Sequence, residues 1–127
     1  GSPVDALIVT YGMGVHWALE EAERLRSEGM GEVGVLDLRT LAPLDWDAVF
    51  DASAQAGRVL VLHEDNLTGG IGAEIAARVQ ENCFSHLDAP VSRVASLDTP
   101  IPFAPNLEAE YLPRQRLTQA LEALLAY

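Results

Sequence analysis

The chain has 127 residues, 49% of them apolar but only 6% aromatic, which fits one domain with a core built from Val, Leu, Ile and Ala. Its formal net charge is −11, with eight Arg and no Lys, and that acidity argues against nucleic acid or an anionic membrane as partner. No run approaches the length of a membrane span, and no basic-then-apolar leader is visible. The single Cys83 rules out an internal disulfide and fits a reducing, cytoplasmic setting. Residues 1–3 are expected to be a tag remnant ahead of one domain over 4–127, so the chain is expected to be an excised piece of a longer protein.

Ala6 to Thr10 is a short apolar run and reads as a first, central strand. Met13 to Glu28 has helical spacing, with Ala18, Leu19, Ala22 and Leu25 expected inward. Glu20, Glu21, Glu23, Arg24 and Arg26 are expected in water, and Gly29 stops the helix. Val33 to Leu38 is a second strand, and Pro43 excludes its continuation. Asp45 is placed to cap a helix through Trp46, Val49, Phe50 and Ala54, which Gly57 ends.

Val59 to Leu62 is an unbroken apolar run, as expected of a strand covered on both faces. His63, Glu64 and Asp65 follow at its carboxyl end, where open α/β sheets place ligands. Gly69, Gly70 and Gly72 lead into a helix with Ile71, Ile75 and Val79 spaced by four. Pro90 to Ser96 is a further strand. Residues 97–113 carry four prolines and read as a long connection, with Pro113 opening a last helix. Leu117, Leu121, Leu124 and Leu125 form that helix's inner face. Alternating strands and helices predict an α/β three-layer sandwich with a mostly parallel sheet of roughly five strands.

The glycine turn supports two readings. Helix-start amides there would hold an anion. Alternatively, the missing side chains let the turn pass close to a neighbouring segment, which is the stronger reading. A Walker sequence needs the lysine this chain lacks, and a response-regulator receiver needs both a late lysine and an acidic pair where Tyr11-Gly12 stands. His63 and Glu64 point to opposite faces of their strand, so they do not share a site. Glu64 is expected to accept backbone amides of the glycine turn, in a structural role. His16 and His86 have no ligand spacing, and no serine sits in a nucleophile elbow. No catalytic, cofactor-binding or metal-ligating residue is therefore assigned.

Three stretches become recognisable together: Val9-Thr10-Tyr11-Gly12, Val35 through Asp45, and His63-Glu64 with Thr68 through Ile75. Gln80-Glu-Asn-Cys-Phe84, Leu87 through Val94, and Asp98-Thr-Pro-Ile-Pro-Phe103 add to them. The chain resembles the C-terminal domain of the transketolase group of thiamine diphosphate enzymes, closest to the β subunit of a branched-chain 2-oxoacid dehydrogenase. The resemblance implies no cofactor in this chain. Thiamine diphosphate and Mg would lie in the parent enzyme, between domains not present here. It further implies contacts with an α subunit and a second β subunit. It also implies docking of the lipoamide acyltransferase's peripheral subunit-binding domain, whose basic surface suits the acidic chain. Asp88 matches a family acid at that surface, and the carboxylate of Tyr127 is the other anchor. Ser92 stands where relatives can carry a second acid. Two alternatives are a stand-alone anion- or nucleotide-binding module using Gly69 to Gly72, and the C-terminal domain of a transketolase or deoxyxylulose phosphate synthase. The proline pattern of 98–113 favours the dehydrogenase over the latter.

Overall fold

A computed structural model describes residues 4–40, 43–63, 70–95 and 106–127, without the side chains of 40, 70, 95 and 106–114. Four strands form one sheet: β1 (Ala6–Thr10), β2 (Val33–Asp37), β3 (Val59–His63) and β4 (Ser92–Ala95). Their order is β2-β1-β3-β4 and every pair is parallel. Ile8 lies beside both Val35 and Leu60, and Leu62 beside Val94. The expected parallel sheet is thus present, with four strands among the described residues against the roughly five expected. Residues 96–105 lie outside them.

The apolar runs of β1 and β3 supply two cores at once, because successive side chains leave a strand on opposite faces. Ala6, Ile8, Leu60 and Leu62 pack with Ala18 and Leu25 of α1 (Met13–Ser27) and with Leu117, Leu121 and Leu124 of α4 (Asn106–Ala126). Leu7, Val9, Val59 and Val61 pack on the other face with Val49 of α2 (Trp46–Ala56) and with Ile75, Val79 and Cys83 of α3 (Gly70–Cys83). Both strands are buried throughout, whereas β2 at the sheet edge is half-buried.

α2 begins and ends as expected. The Asp45 carboxylate accepts from the Ala48 amide at 3.1 Å, and Gly57 closes the helix with φ +76°. Asp45→Ala should therefore cost about 1 kcal/mol of stability, read as a lower urea midpoint.

Two expectations are corrected. On α1, Leu19 is 54% exposed while Glu21 is 3% exposed. The inward line is Gly14, Ala18, Glu21 and Leu25, and Leu19 lies one residue off it. Glu21 tolerates burial because Arg24 Nε donates to it at 3.1 Å, while Arg24 Nη2 reaches Glu122 of α4 at 3.0 Å. The Glu21 hydrogen bond is the largest cause holding the Arg24 pKa above its ordinary value. The second correction concerns α4, which starts at Asn106, so that Pro113 lies inside it rather than at its first position. Leu107, Glu108 and Ala109 are strong helix formers, and the penalty of a proline is local to its own missing amide and the preceding turn.

Candidate functional site

The candidate residues divide between the two ends of the sheet. At the carboxyl end, β1 leads through α1 to β2, while its neighbour β3 leads through α3 to β4 on the opposite side. The chain thus leaves two adjacent strands in opposite directions, which is where α/β sheets open a crevice. Nearby, Tyr11, Leu38, Arg39, Leu44 and Ile71 line a hollow of about 260 Å³. Its walls are mainly apolar.

His63 closes β3 fully buried, on the α2 and α3 face of the sheet. Gly72 of α3 lies directly against it: a Cβ built there would come within 2.6 Å of His63 Cγ and 2.7 Å of Cδ2. Gly72 thus makes a close approach whose partner is the imidazole. Glu64 and Gly69 lie outside the described residues, and Gly70 is described only as the first backbone position of α3.

The start of α1 makes a second tight corner. Gly12 holds φ +63°, and no side chain caps the helix. The amides of Gly14 and Val15 donate to the carbonyls of Tyr11 and Gly12, both at 3.2 Å. These turn bonds occupy amides that would otherwise face an anion. The buried Thr10 hydroxyl sits beneath Gly14, where any side chain would collide with it.

Among the described residues, no three His, Cys, Asp or Glu side chains converge as a metal-holding set. Cys83 is buried with Sγ 3.5 Å from the Phe50 carbonyl, and burial pushes its thiol above the ordinary value. Its position on the inner line of Ile75 and Val79 makes it a core residue.

The amino end of the sheet carries the docking candidates. The Asp88 amide donates to the Gly57 carbonyl at 2.7 Å, next to the start of β3. Its side chain is 63% exposed and lies 3.7 Å from Arg58 Nη1. Gly57 has to be glycine there, since its φ is +76° and a Cβ would fall 2.6 Å from Asp88 Oδ2. Tyr127, just past the end of α4, is exposed, and Leu125 packs beside Gly31 ahead of β2, which places this terminus at the same end of the sheet.

Two residues there escaped sequence reasoning. Phe84 is 71% exposed and Met30 is 43% exposed, and each follows a helix that runs back to the amino end. The signal for Phe84 was in the spacing: Ile75, Val79 and Cys83 step by four and are buried, so Phe84 falls off the inner line. The exposed Asp5, Glu28 and Glu32 add negative charge at this end.

Comparison with known proteins agrees with this architecture. The chain is 43% identical over 109 residues to the 2-oxoisovalerate dehydrogenase subunit beta of Bacillus subtilis, covering 85% of this chain and 33% of that protein. It is 38% identical over 109 residues to the pyruvate dehydrogenase E1 component subunit beta of Rhizobium meliloti, covering 86% of this chain and 24% of that one. The chain thus spans a third or less of the length of these relatives. Among solved structures, a split-gene transketolase described as an inactive beta4 tetramer superposes with a TM-score of 0.73 at 23% identity. That match covers 96% of this chain and 39% of the other, and it speaks to the fold. The family model described as "Transketolase, C-terminal domain" matches residues 3–116, and the chain belongs to that family.

Proposed function

We propose that this chain is the C-terminal assembly domain of the β subunit of a bacterial, cytoplasmic 2-oxoacid dehydrogenase that uses thiamine diphosphate and Mg. The parent enzyme would decarboxylate a branched-chain 2-oxo acid and pass the acyl group to lipoamide. The relatives' names support the dehydrogenase class but include a pyruvate enzyme. The preference for a branched-chain substrate rests on the Gln80-Glu-Asn-Cys-Phe84 and Asp98-Thr-Pro-Ile-Pro102 patterns. The described residues do not fit a diphosphate–metal site: the carboxyl-end hollow is mainly apolar, and no acidic set converges on it. No step of the decarboxylation is therefore assigned to them. In this reading the cofactor is held by other domains, and this chain contributes contacts to the α subunit, to a second β subunit and to the acyltransferase.

One observation carries the docking role. Asp88 is held outward by its own backbone at the same end of the sheet as Tyr127, on a chain of net charge −11. A basic peripheral subunit-binding domain of the lipoamide acyltransferase is the matching partner. Asp88→Arg should weaken binding of that domain roughly tenfold or more, since like charges at a contact cost several kcal/mol. It should also flatten the dependence of affinity on salt. Calorimetric titration at two salt concentrations checks both effects, and an unchanged affinity would remove Asp88 from the site.

A further inference from the structure

Resting on that docking reading, we infer that Arg58 is a specificity-determining residue of the amino-end surface: an internal cation that competes with the partner for Asp88. The competition follows from how Asp88 is held. Its backbone amide donates to the Gly57 carbonyl at 2.7 Å, and its carboxylate lies against Gly57, the one residue type that leaves room for it. The backbone of Asp88 is therefore anchored beside Gly57, and its carboxylate lies on the exposed side of that anchor. Arg58 Nη1 stands 3.7 Å from Asp88 Oδ2, beyond hydrogen-bond range but close enough to act by charge.

Arg58 itself is only loosely satisfied. Its Nε is buried without a hydrogen-bond partner among the described residues, while its side chain remains 28% exposed. Its backbone carbonyl accepts from Leu7 at the start of β1, so the residue is anchored in the sheet whatever its side chain does. A half-exposed pair of this kind contributes little to stability. Its effect falls on recognition, because an arriving Lys or Arg meets a carboxylate already partly neutralised. Phe84, exposed on the short turn between α3 and Asp88, offers an apolar side chain at the same end of the sheet. The surface thus fits a protein partner that offers a cation to Asp88 and an apolar side chain to Phe84. Arg58 sets how strong that cation must be.

Arg58→Met keeps the aliphatic stem and removes the charge. Titrated with the acyltransferase's peripheral subunit-binding domain, it should bind two- to fivefold more tightly at low salt, with a steeper salt dependence, and converge with the parent chain at high salt. In the Asp88→Asn background the same substitution should change affinity by less than 1.5-fold. An unchanged or weakened affinity for Arg58→Met in the parent background would overturn the competition. So would equal tightening in both backgrounds, which would show a general charge effect. If Asp88→Asn alone left affinity unchanged, the docking reading would fail instead. Thermal melts of each variant confirm that the comparison is between folded chains.

Discussion

Gly72→Ala should destabilise the chain by about 1–3 kcal/mol, the usual cost of forcing extra volume into a filled core. The added methyl would sit 2.6 Å from His63 Cγ, 2.7 Å from Cδ2 and 3.0 Å from Cβ, all far inside contact distance. Neither side can yield easily. His63 is fully buried at the end of β3, and α3 is pinned by Ile75, Val79 and Cys83 in the same core. The expected result is a lower urea midpoint with an unchanged slope, which would locate the loss in native packing. His63→Ala should cost stability by itself, yet combining it with Gly72→Ala should cost less than the sum of the two, because both act on one contact. An undiminished midpoint for Gly72→Ala would mean that the glycine is not there for packing. Binding of an anion at the turn would then again be the better account of it.

Gly72 also shows what a sequence can and cannot convey. The cluster of Gly69, Gly70 and Gly72 around Ile71, with Ile75 and Val79 following, announces a tight strand-to-helix corner, and a helix starts at Gly70. Which group the glycine makes room for depends on the fold, and only the folded chain identifies His63. The uninterrupted apolar runs of β1 and β3 were legible because burial on both faces removes any need for polar alternation. Asp45 and Gly57 were legible because capping is local chemistry. Strand order was not, since it is decided by contacts between distant segments.

Glu21 was misread for a related reason. Hydrophobic spacing puts a carboxylate outside, but Arg24 joins it to Glu122, 98 residues beyond Arg24, and no local pattern reveals that link. The proposed docking end divides in the same way. The family resemblance implies Asp88 as a docking residue. Gly57 and Arg58 lie some thirty residues upstream; Gly57 is legible only as a helix stop, and nothing local ties either residue to Asp88.

Leu121→Ala should have the largest effect on stability, about 2–5 kcal/mol, from lost apolar burial plus the cavity left behind. Leu121 is fully buried, with Leu117 one turn before it and Leu124 just after, and all three share a core with Ile8, Leu60 and Leu62. α4 covers β3 and β4 on this face of the sheet. It also has an ion pair to α1, Arg24 with Glu122 at 3.0 Å, but the Glu122 side chain is 42% exposed. A pair so open to solvent is worth about 0–1 kcal/mol. Hydrophobic contact, not charge, therefore holds α4 down, and Glu122→Ala should cost less than half as much as Leu121→Ala in matched urea titrations. On the docking proposal, because Tyr127 follows the end of α4, loosening the helix should also reach the proposed docking surface. Leu121→Ala should bind the acyltransferase's peripheral domain progressively less well as temperature rises toward its melt, while Glu122→Ala retains binding over the same range. Equal stability losses for the two variants would mean that the ion pair, rather than the leucines, anchors the helix.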